Sequence, residues 1–320
     1  MAAPIPIRPW YWVGFILAIL IWTGLDLALF HRTPRVMKTG EALLWTGFWF
    51  LLALLFAGGL AHWRSHEESL QFITGYLVEY SLSLDNLLAI AVIFSSFAVP
   101  AEQQHRVLSW GIIGALLMRG LMIGAGAVLL QSFHWLLYLM GLFLVVTGLR
   151  WAFAKPAANR LIKENRIVRL ARNFFPVSAG FEGNRFVTMI AGRRALTPLA
   201  LVLLAVETTD LIFAVDSIPA VFAVTQNAFV VFTSNLFAIM GLRSLYFVLT
   251  GAMRSFRYLR TGLACVLVAI GLKMMAARWW PVPTGLSLVA VLVIVAAALL
   301  FSAMSARREK EKAATHHLPM

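Results

Sequence analysis

The chain has 320 residues, of which 61% are hydrophobic and only 13% are charged. Soluble domains have about a quarter of their residues charged, so this composition excludes a soluble globular protein and predicts a polytopic membrane protein. The formal charge of +13 is typical of basic cytoplasmic loops in such proteins, and we expect no nucleic-acid binding. The single cysteine, Cys265, excludes a disulfide or a thiolate metal cluster within one chain.

Apolar stretches that could cross a bilayer recur along the whole chain, and each crossing needs about 20 residues. Nine spans are predicted, at about residues 10–30, 42–62, 70–98, 107–131, 133–153, 197–223, 228–251, 257–277 and 283–304. The first follows Arg8 without a small-residue cleavage pattern, so we interpret it as a retained span rather than a signal peptide. The expected fold class is therefore an all-α polytopic membrane protein with about nine transmembrane helices.

The spans and the charges divide the chain into six segments. These are an N-terminal helix with a basic cytoplasmic turn (1–40), a first transmembrane half (41–153), a basic cytoplasmic loop (154–196), a second transmembrane repeat (197–277), a final helix (278–304) and a cytoplasmic tail (305–320). Arginine and lysine concentrate in the segments that face inwards if the N-terminus lies outside. The positive-inside rule therefore predicts an outside N-terminus and a cytoplasmic C-terminus.

The basic loop has a pattern of its own. Residues 160–175 place apolar side chains at helical spacing among basic ones, which is typical of a helix that lies on an anionic membrane surface. Residues 185–195 predict a small hairpin that turns near Gly192. Anionic lipids are thus expected partners, although the loop can also be a plain linker that orients the two halves.

Two acidic motifs interrupt the apolar stretches. They comprise Glu79, Asp85 and Asn86 in the third predicted span and Glu207, Asp210, Asp216 and Ser217 in the sixth. A carboxylate at the centre of a membrane helix is unfavourable by roughly 2.5 to 3.5 kcal/mol on insertion scales, and such groups are functional by default. The motifs are therefore the first candidates for a site.

The two motifs align with each other. Asp210, Asp216 and Ser217 each follow their counterparts by 131 positions, and residues 110–119 similarly echo residues 234–243, with Arg119 and Arg243 at the ends. Three spans lie in each repeat, so the third and sixth spans cross in opposite directions. We therefore predict two inverted three-helix repeats, at about 70–153 and 197–277, an architecture typical of secondary transporters with a midplane site.

Helical geometry limits which of these groups can converge. Positions seven apart lie about 20° apart on a helix, so Glu79 shares a face with Asn86 and Asp210 with Ser217. Positions six apart differ by about 120°. Asp85 and Asp216 can join the others only where the helices unwind. Pro219 predicts such a break in the second motif, because it cannot donate to the carbonyl of Val215.

The chemistry of the seven motif residues favours a hard cation. Carboxylate, amide and hydroxyl oxygens suit magnesium, calcium or manganese better than copper or zinc, and no histidine lies in the centre of a predicted span. Burial and like-charged neighbours both favour protonated carboxylates, which makes exchange of protons for the metal chemically reasonable.

Structural roles for the polar residues remain open at this point. Arg119 and Arg243 can equally be scaffold partners of Asp85 and Asp216 in buried salt bridges. Asn235, in the seventh predicted span, can line the site or bond across helices.

Five segments of the chain carry a resemblance to a known family: TGYLVEYSLSLDN (74–86), QHRVLSWGI (104–112), TPL (197–199), VETTDLIFAVDSIPA (206–220) and FTSNLFAIMGLRSLYF (232–247). In matching order from about residue 40 to 275, the chain resembles the TerC family, and most closely its Alx-type members. This resemblance implies an inner-membrane protein that exports manganese from the cytoplasm, with a link to tellurite resistance. It also implies that the seven motif residues are the family's acidic motif positions.

Our leading hypothesis from the sequence is a manganese exporter that works by alternating access, with proton antiport as the expected coupling. We expect no permanently bound cofactor and no enzymatic activity, and calcium is the alternative cargo. A membrane scaffold or stress-response component without transport is the alternative function. An enzyme acting on an oxyanion is less favoured, because the chain lacks paired thiols and an acidic cavity repels anions. The sequence leaves the oligomeric state open.

Overall fold

The computed structural model describes residues 9–30, 39–153, 166–190, 192–252, 259–277, 279–280 and 282–316. Within these ranges the protein consists of ten helices and one hairpin. The helices are α1 (Pro9–Phe30), α2 (Thr39–Trp63), α3 (His66–Ser96), α4 (Ala101–Ser132), α5 (Leu136–Phe153), α6 (Arg166–Phe174), α7 (Pro198–Phe222), α8 (Ala228–Ala252), α9 (Leu259–Ala276) and α10 (Thr284–His316), and the strands are β1 (Val187–Ile190) and β2 (Arg193–Leu196).

Each of the nine predicted spans coincides with a helix. In the described part of the chain, seven helices are long and apolar enough to cross a membrane: α2, α3, α4, α5, α7, α8 and α10. The protein is therefore a nearly all-helical, polytopic membrane protein. For α1 and α9 the crossing, and with it the count of nine, stays a prediction.

The two helices that carry the acidic motifs begin at strong caps. The side chain of Ser65 accepts a hydrogen bond from the amide of Glu68 at the start of α3. Thr197 does the same for the amide of Ala200 at the start of α7, where Pro198 occupies the first turn. A hydroxyl N-cap is a favoured helix start, and proline at the first helical position adds to it in α7, so the beginnings of both helices are fixed locally.

Helices α3 and α7 run antiparallel to each other. Near the start of α3, Gln71 accepts a hydrogen bond from Thr225, just beyond the end of α7. One turn further on, the space beside Gly75 is filled by Val221 of α7. As the numbering rises along α3, the facing residues of α7 therefore fall.

Helices α4 and α8 are also antiparallel. Arg243 of α8 donates a hydrogen bond to Ser109, near the start of α4, over 3.3 Å. Further along α4, a Cβ on Gly120 would lie 3.3 Å from the ring of Phe232, near the start of α8. Helix α3 packs against α7 and α8, and α4 packs against the same two helices, so these four helices form the polar centre of the bundle.

Helices α5 and α9 meet backbone to backbone along a glycine seam. A Cβ on Gly148 would lie 2.8 Å from the carbonyl oxygen of Ala264 and 2.8 Å from Val268. On the other helix, a Cβ on Gly271 would lie 2.7 Å from the carbonyl oxygen of Gly141 and 2.8 Å from Val145. Only glycine permits this approach.

The seam contacts are reciprocal. Shifting Gly148 by 123 positions gives Gly271, and the same shift carries Gly141 to Ala264 and Val145 to Val268. Each contact that Gly148 makes with Ala264 or Val268 therefore has its exchanged copy between Gly271 and Gly141 or Val145. The two helices contact each other through equivalent positions, as a local two-fold axis requires.

The segment before α7 matches two local predictions. The hairpin is confirmed, because β1 pairs antiparallel with β2 and Gly192 turns with φ of +75°. The predicted surface helix is present as α6, with residues 160–165 outside the described part. Its Val168 packs against the core while Leu170 and Phe174 are exposed, so α6 lies along the bundle with an apolar edge uncovered.

Candidate functional site

Two acids from the two motifs meet at one buried arginine. Arg119 of α4 donates from Nη1 to Oε1 of Glu79, and from Nη2 and Nε to the two oxygens of Asp210, over 3.0 and 3.2 Å. The arginine is 1% exposed and Glu79 is 0% exposed. A forked contact of this kind is the geometry in which guanidinium binds carboxylate most strongly.

Three smaller polar groups surround this triad. Asn86 donates to Asp210 over 3.5 Å, Ser83 donates to Glu79 over 3.5 Å, and Arg119 reaches Ser217 over 3.4 Å. We call Glu79, Asn86, Arg119, Asp210 and Ser217 the central cluster. Glu79 with Asn86 and Asp210 with Ser217 are the pairs that the seven-residue spacing placed on shared faces, and α3 and α7 turn those faces towards each other.

The charges of the central cluster do not balance when both acids are ionised, because two carboxylates face one guanidinium. Among the described residues, Oε2 of Glu79 is buried without a hydrogen-bond partner. An unpaired buried acceptor is unfavourable by about 1–3 kcal/mol, and more when it is charged. The cluster therefore has spare capacity for a proton or a metal cation.

Glu207 lies one helical turn from Asp210, on the side where α7 begins. Its Oε2 is likewise buried without a partner in the described part of the chain. A Cβ built on Gly114 of α4 would collide with the Glu207 carboxylate. Gly114 therefore provides the space that this acid occupies. Sequence reasoning missed that role, although Gly114 lies inside the repeated segment 110–119.

Asp85 and Asp216 lie outside the central cluster. Asp85 is within the field of Arg260 on α9. Asp216 accepts a hydrogen bond from Thr147 and is within the field of Arg150, both on α5. We call Asp85 and Asp216 the lateral acids, because each faces the α5–α9 pair. Thr147 was not foreseen, since nothing in the sequence links it to the second motif.

The predicted break at Pro219 is wrong. Helix α7 is continuous from Pro198 to Phe222, with Pro219 inside it, and α3 is continuous through its whole motif. Without unwinding, the six-residue spacing keeps Asp85 and Asp216 on other faces, as the wheel geometry requires. A ligand set that joins all the motif acids is not assembled in this conformation.

The scaffold pairing considered for the arginines is also corrected. Among the contacts of the described residues, Arg119 binds Glu79 and Asp210 rather than Asp85, and Arg243 donates to Ser109 rather than to a motif acid. Asn235 is 2% exposed, and its Nδ2 has no partner among the described residues.

The structure therefore brings Glu79 and Asp210 together and keeps the lateral acids apart from them. In the described residues, no three carboxylate, imidazole or thiol groups are close enough together to hold a metal ion. The guanidinium of Arg119 lies between Glu79 and Asp210, where a cation bridging these acids would lie. In this conformation the site is a closed ion-pair network.

Comparison with known proteins agrees with the motifs. The sequence model described as "Integral membrane protein TerC family" matches residues 64–312, which include the central cluster and the lateral acids. The chain belongs to the TerC family.

Relatives in this family align over nearly the whole chain. A protein named as an uncharacterized membrane protein of Myxococcus xanthus is 46% identical over 93% of both chains. Two proteins named "Putative membrane-bound redox modulator Alx" are 42% identical in Photorhabdus laumondii, over 92% of this chain and 94% of the relative, and 39% identical in Escherichia coli K12, over 95% and 98%. No solved structure gives a significant match. Neither the family description nor these names state a catalytic reaction.

Proposed function

We propose that this TerC protein is a divalent-cation efflux transporter of the inner membrane, which exports manganese by alternating access through the central cluster. The observation that carries the proposal is the meeting of Glu79 and Asp210, one acid from each motif, at a single buried arginine. Buried acids in a membrane bundle are typical of ion pathways. A scaffold needs no carboxylate oxygen left unpaired at its centre.

The charges favour a dication as the cargo. A dication in place of the Arg119 guanidinium would neutralise both carboxylates, whereas one guanidinium neutralises only one. Carboxylate, amide and hydroxyl oxygens are hard ligands that suit manganese, magnesium or calcium. We infer manganese from the family resemblance and keep calcium as the alternative. Protonation of the emptied acids supplies the counter-ion for proton antiport.

Inverted repeats are proposed as the basis of the alternation. The antiparallel contacts of α3 with α7 and α4 with α8 support this inference, and so do the reciprocal glycine contacts of α5 with α9. In transporters with inverted repeats, the two halves usually exchange conformations, which opens a midplane site first to one side and then to the other.

The acids are distributed unequally along the proposed path, and this supports efflux. Glu207 lies between Asp210 and the start of α7. Its counterpart 131 positions earlier is Tyr76, which lies towards the opposite end of the bundle because α3 is antiparallel to α7. A carboxylate attracts a dication more strongly than a phenol does. Loading is therefore favoured from the end where α7 begins, which the charge pattern assigns to the cytoplasm.

The same orientation gives α6 a membrane-facing role. Arg169 and Arg172 are exposed beside the exposed Leu170 and Phe174. Basic and apolar groups side by side on a short helix bind anionic headgroups and acyl chains together. We propose that α6 rests on the anionic cytoplasmic leaflet.

The names of the relatives refer to redox modulation, and a redox role based on paired thiols does not fit this chain. Cys265 is its only cysteine, so dithiol and disulfide exchange within one chain is excluded. An effect on redox state that follows from altered metal content remains compatible with transport.

Proteoliposome flux tests the proposal. Purified protein is reconstituted with a pH gradient, and manganese and calcium uptake are measured for wild type, Glu79→Gln and Asp210→Asn. We expect wild-type manganese flux that depends on the gradient, and background flux in both variants. Gly124→Ala is the matched control, because a Cβ there meets nothing within 4 Å. Wild-type protein that moves neither metal would refute the transporter and favour the scaffold.

A further inference from the structure

The two arginines of the repeated α4 and α8 segments approach the central acids from opposite ends. Along α4, Ser109 holds Arg243, and Arg119 follows ten positions later. Gly114, which faces Glu207, lies between them. We call the end where α7 begins the loop side and the other end the far side. Arg243 is then anchored on the loop side of the acids, and Arg119 reaches them from the far side.

The anchors of the two arginines are also equivalent. Arg243 follows Arg119 by 124 positions, and the same shift carries Ser109 to Thr233. Both are buried hydroxyls, and each donates to the carbonyl four residues earlier in its own helix, Ser109 to His105 over 3.0 Å and Thr233 to Phe229 over 2.8 Å. Arg243 uses its hydroxyl anchor here, whereas Arg119 uses the acids.

We propose that Arg119 and Arg243 are alternating internal cations of the central acids. In the conformation described, Arg119 binds Glu79 and Asp210 while Arg243 rests on Ser109. In the alternate conformation, Arg243 binds the same two acids and Arg119 rests on Thr233. This inference rests on the proposed transport function and names the groups that the transported dication must displace.

The exchange explains how the acids avoid being buried without a counter-charge. Removing one partner of a buried ion pair is strongly unfavourable because it leaves the other charge uncompensated. An arginine supplied from either side keeps the emptied site paired in both end states. When a dication binds the acids, it displaces the arginine side chain that links α4 or α8 to them. Binding of the cation is thereby coupled to opening of one side.

Cysteine accessibility tests the exchange directly. In a Cys265→Ser background, Gly111→Cys reports on the loop side, where a Cβ would meet Val206 at 3.5 Å, and Ser234→Cys reports on the far side, beside Gly75 and Val221. Alkylation rates are measured in proteoliposomes. Arg119→Gln is expected to raise the far-side rate and lower the loop-side rate by about fivefold or more, and Arg243→Gln to do the opposite.

Milder variants keep the test informative if an arginine variant fails to fold. Ser109→Ala removes a hydroxyl to which Arg243 donates in the described conformation and is expected to shift both rates in the direction of Arg119→Gln. Thr233→Val is expected to shift them in the direction of Arg243→Gln. Thr250→Val is the control, because that hydroxyl lies near the end of α8 and, among the described residues, donates to the carbonyl of Phe247 in its own helix.

Manganese flux in the same vesicles separates this inference from the proposed function. Opposite shifts in the paired variants support the exchange, whether or not manganese moves. Flux without opposite shifts would leave transport standing and overturn the exchange, making the arginines fixed scaffold partners. Equal shifts in Thr233→Val and Thr250→Val would also overturn it, since the effect would then be a general loosening of α8.

Discussion

The central acids and the lateral acids stand six residues apart on the same two helices, yet their surroundings differ. Glu79 and Asp210 share one arginine from α4. Asp85 and Asp216 instead face α9 and α5, where Arg260 and Arg150 provide the opposite charges. The first set joins α3 to α7 at the bundle centre, and the second joins these helices to the glycine-packed α5–α9 pair.

This difference shows that each motif contributes acids to two helix interfaces. A rigid helix turns residues six apart by about 120°, so a single stretch of sequence places one acid at the centre and one on its flank. We infer that the central acids bind the cation while the lateral acids govern how α5 and α9 move against the centre.

The largest effect is expected at the central acids. Glu79→Gln and Asp210→Asn should reduce manganese flux to background, since each removes a charge that pairs with Arg119. Leaving the buried Arg119 short of a partner should also destabilise the protein, by up to about 3–5 kcal/mol. Thermal unfolding in detergent measures the second effect. Wild-type flux in Glu79→Gln would place the cation site elsewhere.

The glycine seam is expected to respond next. Gly271→Val should destabilise the protein by about 1–3 kcal/mol, because its side chain would overlap the Gly141 backbone carbonyl and force the helices apart. Unfolding midpoints measure the change. A neutral result would show that α5 and α9 do not pack this closely in the membrane.

The lateral acids should affect rate rather than binding. Asp216→Asn is expected to lower the maximal manganese flux about tenfold while leaving the half-saturating concentration nearly unchanged, because the residue contacts α5 and not the central cluster. Concentration series in proteoliposomes distinguish the two parameters. A large rise in the half-saturating concentration, with little change in maximal flux, would instead make Asp216 a direct ligand.

The smallest effect is expected at the partner of a lateral acid. Thr147→Val removes the hydrogen bond to Asp216 with little change in shape, so about 1 kcal/mol of stability is expected to be lost. The variant should shift flux in the same direction as Asp216→Asn, but less. Measuring both variants singly and together shows whether they act through one contact.

Sequence patterns predicted every helix that carries the site, because long apolar runs and seven-residue spacing are properties of single helices. They also placed Glu79 with Asn86 and Asp210 with Ser217 on shared faces. They could not assign the partners of Arg119 or Asp216, because those depend on how separate helices pack. Pro219 misled the prediction, since a helix can continue through a proline when packing holds it in place.

The N-cap of α7 links that helix mechanically to the hairpin. Thr197 accepts from the amide of Ala200, donates to the carbonyl of Arg185 over 2.6 Å, and its own amide bonds to Phe186 over 3.0 Å. Thr197 thus connects the hairpin directly to α7, with no flexible linker between the two elements. A force on the hairpin, from the membrane surface or from a bound partner, would therefore be transmitted directly to α7, the helix that carries Asp210.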